Sequence, residues 1–514
     1  MTWMADTAPG ISLRSNAAMV AACISIALSA WLIWNDGVIN RDGVLYLRAA
    51  EAFANGSWQE AMRLYKWPLY SWLIAAIHQL SGLDLEAAAY MLNTAFFAVL
   101  VYAFVRLVEV ISIKPGLGPW AALTILLLPS LNDYRSYIVR DAGYWACYLL
   151  ALLFFCQYLR DPKWRYAIAW GGTILVASLF RIEGVVLMAL LPFVVFGERT
   201  ERWQIRLTHF MRTQTVLFCC AIGLAFYSVV FSGTLRALGR LADPQTWALS
   251  FFQTLNVGLG EKAAALQGAV LNKFSEDLAL PSVIGILMLI VLSSLLSAFG
   301  VLHFFATAYS IWSKKWSFAS SVQRTLRWLI VLQGAIIAVS VTNLFFLTGR
   351  YVIGLVLTVL VFAPAGFESL YFAWRQKAYD GKALRYLIIL IFALGLAIAL
   401  GNLASFGPSN KYIKEAGRWI AANTSASSVL LTNNEAVAYY AQRPWNQEHG
   451  EFTDAALQRK LNEQTPFDYL AVDISRKRLA NADALIASLG YEPVVVFKDR
   501  SGDRMLIFRN PRSR

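Results

Sequence analysis

The residues of this chain best suited to chemistry are charged ones stranded between apolar stretches. The first group is Asn40-Arg41-Asp42-Gly43-Val44-Leu45-Tyr46, followed by Lys66-Trp67-Pro68-Leu69-Tyr70. Others are Arg140-Asp141, Arg181 with Glu183, and Arg350-Tyr351. A carboxylate such as Asp42 can take a proton from an acceptor hydroxyl or amine. Arginine and lysine can grip a phosphate and stabilise it as it leaves. Each group alone also has a plainer reading. Asp42-Gly43 fits a turn after a helix, Asp141 a helix cap, and Arg181 with Glu183 a structural ion pair. Lys66 fits a snorkelling side chain and Arg350-Tyr351 an interfacial anchor.

The elements that must position these residues are membrane helices. Of the 514 residues, 58% are hydrophobic and 15% charged, and the mean hydropathy is +0.51. Apolar runs recur from Ala17 to Phe406, which predicts a polytopic α-helical membrane protein; the short alternating segments of a β-barrel are absent. The expected spans, about eleven, are Ala17–Trp34, Ala87–Leu107, Leu117–Tyr134, Ala142–Leu159, Tyr166–Phe180, Gly184–Phe196, Thr213–Phe231, Leu280–Val301, Trp328–Leu347, Val352–Tyr371 and Leu387–Phe406. The first apolar stretch reads as a retained helix rather than a cleaved signal.

Net charge is +13, which in such a chain points to topology before nucleic acid. Lys and Arg gather at Arg160, Lys163, Arg165; at Arg199, Arg202, Arg206, Arg212; at Lys314, Lys315, Arg324, Arg327; and at Arg375, Lys377, Lys382, Arg385. All fall on the side of the N-terminus, expected to be the cytoplasm. The chemistry-bearing groups then share the opposite edge of the membrane, and this conjunction favours transfer chemistry on an anionic lipid. Residues 166 to 196 are too few for two full crossings, which take roughly 40. They predict a short hairpin whose turn, Arg181 to Gly184, sits at membrane depth, where ionisable residues pair or work.

In the first outer loop, 35–86, Gly43–Asn55 reads as an amphipathic helix with Leu45, Ala49 and Phe53 on one face, and Ser57–Lys66 as a second. Trp67–Leu80 reads as a re-entrant or interfacial segment begun by Pro68. From residue 407 the pattern changes. Helix Lys411–Ala422, strand Ser428–Thr432, helices Glu435–Ala441 and Thr453–Leu461, strand Asp468–Ile474, helix Leu479–Leu489 and a hairpin across Arg500–Asp503 predict an extracytoplasmic α/β domain over 407–514, after a membrane domain over 1–406. The five cysteines lie in apolar stretches and make neither a disulfide framework nor a thiolate metal site. His78, His209, His303 and His449 form no ligand cluster. A divalent cation on Asp42 and Asp141 stays open. Trp445–His449 reads as a structural loop, with contact to an acceptor as the alternative.

Arg41-Asp42-Gly43-Val44-Leu45-Tyr46, then Gly56-Ser57-Trp58 and Lys66-Trp67-Pro68-Leu69-Tyr70, resembles the first outer loop of GT-C glycosyltransferases of the family 39 type, which includes protein O-mannosyltransferases and the aminoarabinose transferases of lipid A. Tyr137-Ile138-Val139-Arg140-Asp141 is similar to the family's second outer loop, and Gly349-Arg350-Tyr351 to the Arg-Tyr that opens a late span. Trp67 stands where the family has a first proline, and Gly43 where a glutamate often follows the aspartate. The resemblance implies an inverting transfer from a polyprenyl-phosphate sugar to an envelope lipid, glycan or protein. Asp42 would be the base, and Asp141 would orient acceptor or cation. Lys66, Arg181, Arg350 and Tyr351 would meet the donor phosphate, supported by Arg41, Tyr46, Arg140 and Glu183. No nucleotide site is expected, in keeping with the absence of a Gly-rich phosphate loop. The expected place is the bacterial inner membrane, with the C-terminal domain in the periplasm. A flippase of lipid-linked glycan and an en bloc oligosaccharyltransferase or ligase are the alternatives.

Overall fold

The computed structural model describes residues 16–230, 258–272, 274–375, 389–390, 393–398, 400–401, 410–443, 454–463, 465–474, 492–500 and 502–511. The span expected over 387–406 falls largely outside these, as do the 406/407 boundary, the 445–449 loop, the 479–489 helix and Lys377, Lys382 and Arg385.

The chain opens with α1 (Ala17–Asp36), and the first outer loop folds as α2 (Arg41–Ala54), α3 (Trp58–Leu64) and α4 (Pro68–Ser81). Then come α5 (Leu85–Ile111), α6 (Gly118–Leu126), α7 (Pro129–Asp133), α8 (Asp141–Arg160), α9 (Trp164–Phe180) and α10 (Glu183–Leu190), which runs into a 3-10 turn over Leu191–Gly197. After α11 (Trp203–Val230) follow α12 (Leu259–Ala269), α13 (Ala279–Phe299), α14 (Val301–Trp312), α15 (Ser320–Leu344), α16 (Gly349–Leu360) and α17 (Ala363–Arg375). Among the described residues six helices are long and apolar enough to cross a membrane, α1, α5, α8, α11, α13 (with the turn before it) and α15, and a seventh span if α16 and α17 are one.

Several expected spans differ in form. Leu117–Tyr134 is broken into α6 and α7, because Pro129 opens α7 and holds Leu128 extended. Val352–Tyr371 is two helices bent by 55°, with Pro364 just past the break, where a proline lacks the N–H to continue a helix. α11 and α15 start well before the predicted spans, so Arg206, Arg212, Arg324 and Arg327 lie on helices rather than in loops. Long charged stems let a helix extend past the apolar layer. α14 was not expected at all; it packs on α17. The α2 prediction needs a different correction. Val44, Tyr46, Leu47, Ala49, Ala50 and Ala52 are all buried, so α2 is enclosed on most of its circumference rather than lying on one apolar face.

The α9–α10 hairpin is short, as expected. With 17 residues at 1.5 Å each, α9 covers roughly 25 Å, less than the ~30 Å apolar layer. Gly184 makes the reversal feasible: a Cβ there would lie 2.6 Å from the Ser178 amide nitrogen.

The C-terminal region carries α18 (Lys411–Asn423), α19 (Glu435–Tyr440), α20 (Asp454–Asn462) and strands β1 (Leu430–Thr432), β2 (Tyr469–Ile474), β3 (Val495–Lys498) and β4 (Arg504–Arg509). The sheet order is β1-β2-β4-β3, with β1 and β2 parallel and the other pairs antiparallel. Side chains alternate along a strand. Leu470, Val472 and Ile474 therefore join Leu431, Leu457, Leu506 and Phe508 in one small core. Ala471, Met505 and Ile507 face the other way, into the large core shared with Ala416 and Ile420 of α18.

This α/β unit is docked on the first outer loop by specific bonds. The Tyr440 hydroxyl accepts from the Ile39 amide at 3.0 Å and donates to Glu86 at 3.0 Å. Lys414 reaches the same Glu86 carboxylate at 2.6 Å, and the Asn410 amide donates to Asp36 at 2.8 Å. Arg48 donates to the Arg443 carbonyl at 3.1 Å and lies over the Tyr439 ring.

Candidate active site

Three carboxylates and two guanidiniums from four chain segments form a continuous chain. Asp42 lies in the first turn of α2, where the helix dipole favours a negative charge. Its Oδ2 accepts from Arg350 Nη1, at the start of α16, at 2.5 Å. The same Nη1 lies 3.8 Å from Asp141 Oδ2, on the first residue of α8. Asp141 in turn pairs with Arg181, between α9 and α10, and Arg181 Nε donates to Glu183 Oε1 at 3.0 Å. The order is therefore Asp42–Arg350–Asp141–Arg181–Glu183. Arg140 stands beside it, partly buried, so three positive charges face three negative ones.

Exposure separates the carboxylates. The Asp42 side chain is 39% exposed and that of Asp141 only 4%. Asp42 can meet an incoming acceptor. Asp141 is enclosed by Arg181 and Arg350: its carboxylate pairs with Arg181 and lies 3.8 Å from Arg350 Nη1. Arg181 is equally enclosed. It lies over the Tyr351 ring at 4.5 Å and near the Tyr144 ring at 5.8 Å, with Asp141 and Glu183 on its donors.

Aromatic rings wall the other side. Arg140 lies over Tyr65 at 5.5 Å and Trp67 at 5.3 Å, and its Nη1 is buried without a hydrogen-bond partner among the described residues. Tyr46 packs edge-on against Tyr65 and Tyr70. Burial pushes the phenols of Tyr46 and Tyr65 above their ordinary range, so both stay neutral donors. Lys66 sits at a bend between Tyr65 and Trp67. It is exposed and makes no ion pair among the described residues. Arg41 also departs from the cluster, reaching Glu435 of the α/β unit at 3.0 Å.

Local structure explains how the outer loops meet. Asn40 Oδ1 accepts from the Ile138 amide at 2.8 Å, joining the first loop to the second. A Cβ on residue 43 would fall 2.9 Å from that Asn40 oxygen and 3.1 Å from Ile138 Cβ. A glycine after Asp42 lets the loops close. Asn93 Nδ2 donates to the Tyr137 carbonyl at 2.8 Å, and its Oδ1 accepts from Tyr70 at 2.9 Å. The sequence reading passed over Arg135. It is fully buried, donating to Asn132 Oδ1, Ser25 Oγ and Ser29 Oγ at 2.8–2.9 Å, and it anchors the second loop to α1. The available signal was Ser25 and Ser29 four residues apart on an otherwise apolar helix.

Among the described residues no group of three or more His, Cys, Asp or Glu side chains is arranged to hold a metal ion. A divalent ion on Asp42 and Asp141 would have to displace the Arg350 guanidinium that lies between them.

No protein-family model and no curated protein matches the chain. Solved structures do. The Archaeoglobus fulgidus oligosaccharyltransferase in complex with Zn and sulfate aligns at a TM-score of 0.51 with 14% identity, covering 95% of this chain and 72% of that one. The oligosaccharyltransferase AglB of the same organism, with an inhibitory peptide and a dolichol-phosphate, aligns at 0.47 with 13% identity, covering 96% and 74%. ArnT from Cupriavidus metallidurans bound to undecaprenyl phosphate aligns at 0.40 with 12% identity, covering 96% and 98%. What the chain shares with the first of these is the fold, that of a polytopic helical membrane protein.

Proposed function

We propose that the chain is a membrane glycosyltransferase that moves a sugar from a polyprenyl-phosphate donor to an acceptor of the cell envelope. The observation that carries this reading is Asp42, half-exposed and gripped by Arg350 at 2.5 Å, with the remaining charges locked behind it. Asp42 takes the proton of the acceptor hydroxyl or amine. The freed lone pair attacks the anomeric carbon as the bond to the phosphate oxygen breaks, and that oxygen keeps the bonding electrons. A single displacement of this kind inverts the anomeric centre. Arg350 stabilises the departing phosphate, aided by Tyr351, by the unpartnered Nη1 of Arg140 and by Lys66 from the rim. Asp141, Arg181 and Glu183 hold Arg350 and the α9–α10 turn in place. No step needs a metal ion.

The basic ends of α11 and α15 support an orientation with that side cytoplasmic and the site outside, in a bacterial inner membrane. The α/β unit then covers the site from the periplasm over 407–514 and selects the acceptor. Transfer of a preassembled oligosaccharide is the second reading, favoured by the fold shared with an oligosaccharyltransferase.

The test uses purified protein in lipid, a panel of radiolabelled polyprenyl-phosphate sugars and envelope extract. Donor-dependent label transfer with release of polyprenyl phosphate, lost in Asp42→Asn, is expected. No transfer from any donor, together with donor crossing the bilayer unchanged, would replace the transferase by a flippase.

A further inference from the structure

The end of the bundle opposite the carboxylate–arginine chain holds an open groove of about 600 Å³. α8 runs away from Asp141 to Arg160, and α9 returns from Trp164 to Arg181, so residues near Tyr158 lie at that far end. The groove is bounded by Leu190, Phe193 and Val194 on one wall and by Arg324, Arg327 and Trp328 on the other. It exists because the α10 helix tightens into a 3-10 turn at Leu191, which leaves the first turns of α15 without a full helical neighbour.

Its surface has two chemical halves. Leu190 and Phe193 are exposed apolar side chains, 39% and 48%, on a membrane helix, suited to acyl chains. Trp328 is fixed across the groove by donating its indole N–H to the Leu190 carbonyl at 2.9 Å. At the rim, Arg324 and Arg327 lie three residues apart on one helix, so their guanidiniums share a face. Arg324 is oriented by an ion pair with Glu198. Arg327 is exposed, and its Nε donates to the Gln323 carbonyl at 3.3 Å, leaving its terminal nitrogens facing outward. Arg206, which donates to the Phe196 carbonyl at 2.8 Å, adds a third positive charge nearby. Glu198 and Glu201 are acidic groups close to this rim, lining a neighbouring pocket with Arg324.

We infer that this groove binds one anionic phospholipid, its phosphodiester on Arg327 and Arg324 and its acyl chains against Leu190, Phe193 and Val194. Basic pockets between membrane helices bind such headgroups by charge and by apolar contact together. The lipid would bridge the 3-10 turn and α15, which are otherwise tied here by the Trp328 and Arg324 contacts. The site is separate from the proposed transfer chemistry and stands whether or not that reading holds.

The test takes the delipidated full chain in non-ionic detergent and adds phosphatidylglycerol, phosphatidylcholine or glycerol 1-phosphate. Native mass spectra count retained adducts, and intrinsic fluorescence follows thermal unfolding. Phosphatidylglycerol is expected to leave one adduct that resists collisional removal and to raise the melting temperature. Phosphatidylcholine and the free headgroup should do neither. Arg327→Gln, at an exposed position, should weaken the adduct about tenfold, equivalent to about 1.4 kcal/mol. Val194→Trp fills the groove at constant charge and should weaken it comparably. Equal retention of the two phospholipids by the wild type, no retained lipid at all, or an adduct unchanged in both variants would overturn the proposal.

Discussion

Arg350 and Asp42 are 308 residues apart in the chain, yet one guanidinium nitrogen of the first lies 2.5 Å from a carboxylate oxygen of the second. The pair brings the start of α16 against the start of α2 and sets the spacing between base and phosphate stabiliser. Arg350→Ala is therefore expected to lower kcat by about 10²–10³, the scale for losing one donor aimed at developing charge. Arg350→Lys should recover only part of this, because an ammonium lacks the fork that can face Asp42 and a phosphate together. Steady-state kinetics with the labelled donor would measure both; a fully active Ala variant would remove Arg350 from the chemistry.

Asp42→Asn keeps the shape of the side chain and removes its basicity. The expected loss is about 10²–10⁴ in turnover, with donor binding retained in an equilibrium assay. Because Arg350 already sits between Asp42 and Asp141, turnover of the wild type should survive exhaustive chelation. Loss of activity in EDTA, restored by a divalent ion, would contradict this arrangement.

Asp141→Asn acts differently, since Asp141 is enclosed. Removing its charge leaves Arg181 with Glu183 alone. Breaking a buried pair costs about 3–5 kcal/mol, and the remaining partner should hold the loss near the lower end. The variant should melt at a lower temperature and lose activity with it. An Asp141→Asn protein as stable as wild type, but inactive, would instead put Asp141 in direct contact with substrate.

Tyr440→Phe deletes the hydroxyl that accepts from the Ile39 amide and donates to Glu86. Loss of such bonds costs about 1–3 kcal/mol where a partner stays buried. Hydrogen exchange should speed up at Ile39, and the α/β unit should become easier to cleave from the membrane part. Unchanged exchange at that amide would show that docking rests on other contacts.

Arg135→Met leaves Ser25, Ser29 and Asn132 without their shared donor. At about 1–3 kcal/mol for each orphaned group, the variant should express poorly and unfold at a lower temperature. Arg135→Lys should not rescue it, because one ammonium cannot reproduce the fork of planar donors. Full stability of either variant in a thermal melt would refute the anchoring role.

The local features of this chain were written in its residues. Apolar runs long enough to cross a bilayer have few other uses, so α1, α5, α8 and α13 were legible within a few residues of their ends. Pro68 marked the start of α4, and the strand expected over Asp468–Ile474 marked β2. The charged residues could be picked out because ionisable groups between membrane spans are costly to keep there. Which of them meet was decided only by the tertiary structure. Lys66 and Arg350 carry the same charge, but Lys66 stays exposed at a bend while the start of α16 delivers Arg350 to Asp42. Asp42 and Asp141 are chemically alike, and only packing leaves one open and shuts the other behind Arg181. Helix breaks at Pro129 and Pro364, the burial of Arg135 against α1 and the bond from Tyr440 to Ile39 belong to the same class. Periodicity reports one segment's affinity for lipid or water, whereas ion pairs depend on distances between segments that only the folded chain sets.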